Sequence, residues 1–343
     1  MNQRRWGIDI LRIASMFMVL LLHNLGHKGA LTWTFDSTHE WVLWYVEDFT
    51  IVAVDVFALI CGFLLAGKKD CWKNAASLYL TVWFWSAVLN LPFVVLQPQG
   101  VALEQIAHAV FPVLSGDYWY FNTYLLLLVF IPFLNAGISR FSSRGLLGAS
   151  LMMLGLMCSV GFLGGIGAAS GYSTLWLACL YVCGAAIRLN EESIFRAFSR
   201  RRMIAAILLL PAVSLLLQVD SATHGVDTTR WISYVSPIVV AQALAFFGLL
   251  LRVEVPSPWV RRALVLVSAS AFSVYIIDSS KLVYGYLLTD AFAFTRTIPT
   301  LHAVVSIIGG TILMFVVFLL MDFVRLRLFK LIRGGVSAFC NGD

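Results

Sequence analysis

The stretch DILRIASMFMVLLLHN (residues 9–24) decides how the rest of the chain is read. Its middle is apolar enough to fill a helix in lipid. Its ends are not: Asp9 and Arg12 stand at one and His23 at the other. An ionisable side chain in hydrocarbon costs at least about 2.5 kcal/mol, so such groups usually face the interior of a bundle and mark a working site.

Outward from this stretch the chain stays oily. It has 343 residues, 60% hydrophobic and 12% charged, against about 25% charged in soluble domains. Runs such as 125–134 and 307–321 could not face water without large apolar patches. Stretches of this kind, about 20 residues long, read as membrane helices, and the ten-residue alternation of a membrane β-barrel is missing. The expected fold is all-α, a polytopic transmembrane helical bundle. Ten spans are predicted, near 8–27, 42–66, 75–97, 118–137, 145–165, 172–188, 203–219, 232–251, 263–288 and 301–324, with a short re-entrant piece at 103–114. No internal repeat or linker interrupts them, so 1–343 reads as a single domain. Arg4 and Arg5 precede the first apolar run as in a signal peptide, but no small-residue cleavage site follows, which predicts a retained helix.

Charge placement supports this count. Ten alternating spans put nearly all of the 24 Lys and Arg on one side, which predicts that both termini are cytoplasmic. The other side receives only Lys28, Arg230 and Arg296, while Arg12 and Lys281 fall inside spans. The net charge of +6 then reflects topology and not nucleic-acid binding. The six cysteines form no CxxC pair, and neither a disulfide nor a cysteine metal site is expected.

Arg12 and His23 are eleven residues apart, which returns a helix to nearly the same face roughly 16 Å further along. One stripe thus runs from a cationic inner position to a titratable outer one, suited to proton transfer. A structural, hydrogen-bonded histidine is the plainer alternative. His23 and His27 have a spacing that can hold zinc, but no third ligand accompanies them and no metal is expected. Asp9, Asp55, Asp278 and Asp322 are the acids noted within spans. Depth alone would pair Asp278 with His23 and Asp322 with Arg12, and Asp278 could also be neutralised by Lys281, three residues on.

GIDILRIASMFMVLLLH (7–23) resembles the first helix of the family-three membrane acyltransferases, which includes O-acetyltransferases of cell-envelope glycans. The family pattern is an Arg, ten residues and a His, here Arg12 and His23. VDVFALICGFLL (54–65) resembles its second helix, with Cys61 where Ser is common, and DYWYFNTYLLLLVFIPFLN (117–135) its fourth. GYSTLWLACLYVCGAAIRL (171–189), SPIVVAQALAFFGLLL (236–251), SAFSVYIID (270–278) and FLLMDFVRLRLFKLI (318–332) continue the likeness in order. Asp278 stands where the family often has His, and Lys68, Lys69 and Lys73 stand where it usually has arginines. The resemblance implies acyl transfer from cytoplasmic acyl-CoA, usually acetyl-CoA, to a hydroxyl of a cell-envelope glycan or lipid-linked saccharide. It implies a multi-pass protein of the bacterial cytoplasmic (inner) membrane. His23, Arg12 and Asp278 would be catalytic, His23 as base or transient acyl carrier. Lys68, Lys69 and Lys73 would bind the donor, with Asp9, Asp55 and Asp322 in support. A transporter or flippase for a small anion or lipid-linked sugar, or an inactive relative, are the competing readings.

Overall fold

The computed structural model describes residues 4–69, 71–95, 103–116, 118–163 and 169–340, the last ten as backbone only. They form fourteen α-helices and no strand. In order these are α1 (Trp6–Leu25), α2 (Thr38–Thr50), α3 (Ala53–Leu65), α4 (Trp72–Val95), α5 (Leu103–Val110), α6 (Pro112–Ser115) and α7 (Trp119–Ile138). They continue with α8 (Ser143–Phe162), α9 (Thr174–Leu189), α10 (Glu191–Ala197), α11 (Arg200–Thr223), α12 (Pro237–Leu251), α13 (Pro258–Asp278) and α14 (Thr300–Cys340).

Helix starts are written locally. Ser37, Ser142, Ser173 and Ser199 each accept a hydrogen bond from the backbone N–H three residues on, which caps α2, α8, α9 and α11. Pro237 and Pro258 open α12 and α13, where a missing N–H costs nothing.

Contacts sort the helix ends into two sets. At one end Arg5 bonds Glu191, Asn135 bonds the Lys68 carbonyl, Asn190 bonds the Ser143 carbonyl and Arg252 bonds the Phe198 carbonyl. This is the basic end. At the other, Lys28 meets Asp278, Arg296 bonds the Leu31 carbonyl, Thr174 bonds the Thr123 carbonyl and His39 meets Thr300. The long helices therefore alternate in direction. By length and composition 8 segments suit a membrane crossing. The other two predicted spans are also helical: α9 is 16 residues long, and α4 carries Trp83, Trp85 and Asn90 among its apolar residues. The chain is a multi-pass membrane protein of all-α architecture.

Two expected spans differ in shape. The second, at 42–66, is two helices meeting at Ile51–Val52. Thr50, Ile51 and Val52 are consecutive β-branched residues, stiff in a helix. The Thr50 hydroxyl donates back to the Val46 and Glu47 carbonyls, which favours a bend. The ninth was drawn to residue 288 but ends at Asp278; Ser279 and Ser280 interrupt it, and Val283–Leu287 follow as a π-turn.

α1 packs against α2, α3, α12, α13 and α14, so its polar residues face protein. α3 and α9 approach most closely through two glycines. A Cβ on Gly62 would overlap the Tyr181 carbonyl, and one on Gly184 would overlap the Leu59 carbonyl. Small residues that bring backbones together are the main device for packing helices in lipid.

Gly184→Val is expected to destabilise the protein by at least about 1–3 kcal/mol, because backbone cannot yield as a side chain can. Gly155→Val, in open space on α8, is expected to be silent. Thermal unfolding in detergent checks this; equal midpoints would remove the glycine contact from the fold's determinants.

Candidate active site

At the end of α1 away from the basic end, a polar cluster closes on Asp278. His23 lies in the last turn, and its Nδ1 is 2.6 Å from Asp278 Oδ2 at the end of α13. An ionised carboxylate only accepts, so Nδ1–H donates, and in a neutral imidazole so held the lone pair is on Nε2. Lys28 Nζ donates to the second oxygen of Asp278 at 2.5 Å and to Asn24 Oδ1 at 3.0 Å. Asn24 donates to Thr311 of α14 at 2.8 Å. The side chains of Lys28 and Asp278 are 0% and 1% exposed, and that of His23 is 17% exposed. Only the imidazole can reach a ligand directly. Burial draws the Lys28 ammonium below its ordinary pKa, and the charge of Asp278 opposes the shift. Tyr284, on the π-turn after α13, sets its ring 5.5 Å from His23 and 5.0 Å from His27.

The pairing of Asp278 with His23, inferred from depth, is therefore present. Lys281 is exposed and lies beyond the helix, and the cation of Asp278 is Lys28. Sequence reasoning put Lys28 in an outer loop. The chain folds back just past α1, with the Lys28 N–H on the His23 carbonyl and the Lys28 carbonyl accepting from Phe292 N–H.

Asp322 does not pair with Arg12. It accepts from Trp85 Nε1 at 3.0 Å and from Arg325, one turn on, at 2.6 Å. Arg12 is half-buried near Cys61 and Tyr124 and has no carboxylate partner among the described residues. Asp9, placed on the Arg12 stripe, is held instead by Arg4 and by Ser268 of α13. Asp55 is fully buried on α3; one oxygen accepts from Trp176 Nε1 at 2.9 Å and the other has no partner. Arg12 and His23 occupy one stripe of one helix, but Asp9, Asp55 and Asp322 belong to three separate clusters.

Lys68, Lys69 and Lys73 are exposed at the α3–α4 turn of the basic end. That turn is held by Arg188, which donates to the Phe63 and Ala66 carbonyls, and by Asn135, which donates to those of Leu65 and Lys68. Two further acids within the second span escaped notice, Glu47 and Asp48. Asp48 is buried and accepts from Gln218 and Ser214 of α11, which ties α2 to that helix.

Lys28→Met leaves Asp278 charged, buried and short of its cation, at an expected cost of about 3–5 kcal/mol. Lys28→Met combined with Asp278→Leu removes both charges and is expected to be markedly less destabilised than the sum of the single changes. Additive losses in thermal unfolding would contradict a direct ion pair.

Comparison with known families matches residues 5–320 to an acyltransferase domain, that of acyltransferase family 3. Neither a curated protein nor a solved structure matches the chain. With the match spanning nearly every helix described above, the chain belongs to acyltransferase family 3 and is a membrane acyltransferase.

Proposed function

We propose that this protein transfers an acyl group, typically acetyl, from cytoplasmic acyl-CoA to a hydroxyl of a cell-envelope glycan or lipid-linked saccharide, in a bacterial cytoplasmic membrane. The observation that carries the reading is the hydrogen bond from His23 to Asp278 at the far end of the helix that bears Arg12. The basic end faces the cytoplasm, in keeping with its Lys and Arg.

His23 acts as general base. Its Nε2 takes the proton of the acceptor hydroxyl as the oxygen attacks the thioester carbonyl carbon. The tetrahedral intermediate collapses, the carbon–sulfur bond breaks, and the thiolate leaves with the proton returned by the imidazolium. Asp278 holds the imidazole in the tautomer that can accept at Nε2 and stabilises the imidazolium that forms, the part a carboxylate plays beside a catalytic histidine. Lys28 keeps Asp278 ionised without being consumed. Arg12, with no acid of its own, offers its charge to the donor inside the bundle. Since Arg12 and His23 are roughly 16 Å apart along the helix, the pantetheine arm must enter the bundle from the basic end. Lys68, Lys69 and Lys73 meet the donor's phosphates at that entrance.

His23→Gln keeps bulk and hydrogen bonding but cannot take up a proton at neutral pH. It is expected to lower acyl transfer by about 10²–10⁴-fold at matched membrane abundance. Near-native turnover would reduce His23 to a structural histidine and end this mechanism. Replacing Lys68, Lys69 and Lys73 together by Ala is expected to raise KM for acyl-CoA with kcat little changed, the mark of contacts equal in ground and transition states. An unchanged KM in purified protein would separate these lysines from the donor.

A further inference from the structure

At the basic end the bundle holds a cavity of about 500 Å³ walled by Arg4, Arg5, Trp6, Arg200, Arg252 and Arg261. Two of these charges are already matched: Arg4 forks onto Asp9 and Arg5 onto Glu191. The other three have no carboxylate within ion-pair distance among the described residues, and Glu254 is the one acid in the wall. Arg252 donates to the Phe195 and Phe198 carbonyls, while its Nε is buried without an acceptor. Aromatic faces fix the guanidiniums: Arg252 lies 4.1 Å from the centre of Phe195, and Arg4 and Arg261 lie 5.6 and 5.2 Å from that of Trp6.

Topology alone explains why arginines gather at this end, but not why they converge on a concavity with charge left over. Planar guanidiniums held in place suit phosphate oxygens, which they bind as a fork. The volume lies in the range of small-molecule and cofactor sites. The wall also shares two helices with the candidate active site. Arg5 is the residue just before α1, and Trp6 begins the helix that carries Arg12 and His23 on one stripe. Arg261 opens α13, and Asp278 closes it. The two helices that bring His23 to Asp278 at one end build the cavity at the other.

We propose that this cavity seats the phosphate-bearing nucleotide head of the acyl donor, and that Arg200, Arg252 and Arg261 grip its phosphates. The assignment rests on the acyl-CoA reading above. The exposed lysines at 68, 69 and 73 then steer the donor in, while the arginines hold it.

The test is titration of coenzyme A into purified protein in zwitterionic lipid discs. Wild type is expected to bind, with ADP competing. R200Q, at an exposed position and harmless to packing, is expected to weaken binding about tenfold, the loss of one charge-assisted phosphate contact. R200Q/R252Q is expected to weaken it further, and H23Q should bind as wild type does. Wild-type affinity in R200Q and in the double variant would overturn the assignment while leaving the chemistry at His23 standing. Failure of wild type to bind either coenzyme A or acetyl-CoA would overturn both. If anionic phospholipid, and not coenzyme A, stabilises wild type but not the variants, the phosphate belongs to a lipid headgroup and the nucleotide assignment is wrong.

Discussion

Asp278 is the group on which the upper bundle depends. It is a carboxylate removed from water, and such a charge survives only if its oxygens are occupied. One oxygen takes Lys28 and the other takes His23, both brought by the same short stretch of chain at the end of α1. The bond network runs on through Asn24 to Thr311, so three helices, α1, α13 and α14, close on a single carboxylate. Lys28 supplies the positive charge that Asp278 needs, so the carboxylate has its cation within the protein and its second oxygen is left to the imidazole.

The residues differ in how far the sequence exposed them. The His23–Asp278 pair could be inferred because both lie at the same depth at the ends of helices running in the same direction. The same reasoning failed for Arg12 and Asp322. Depth fixes one coordinate, while packing sets the lateral neighbour, and Asp322 finds Trp85 across the α4 interface and Arg325 on its own helix. Lys28 was hidden because residues just past a helix are read as solvated. A signal was available: only Lys28, Arg230 and Arg296 break the charge bias, and Lys28 and Arg296 are both used internally. Glu47 and Asp48 were lost inside a window whose average is strongly apolar, and no single-chain pattern announces that Gln218 faces Asp48.

The basic end shows two kinds of arginine. Arg4 and Arg5 are bound to acids and serve as fasteners, drawing the start of α1 against Asp9 and Glu191. Arg188 is a fastener of another kind, closing the carbonyl end of α3. Arg200, Arg252 and Arg261 have no carboxylate partner among the described residues, although Arg252 and Arg261 also donate to backbone carbonyls, those of Phe195, Phe198 and Val255. Sequence statistics treat all of these alike, since the positive-inside bias counts charges and not partners.

The bend at Ile51–Val52 has a mechanical consequence. One half, α2, packs on α11, α1 and α14, whereas the other, α3, packs on α1 and α12 and is locked against α9 through Gly62 and Gly184. One apolar segment long enough to cross a membrane is thus held in two different ways on either side of its bend. Both halves also meet α1 and α12, through Gln242 on the Phe49 carbonyl in the case of α2. One end of this crossing is thus fastened by polar side chains, Asp48 to Gln218 and Ser214, and the other by bare backbone contact at the two glycines.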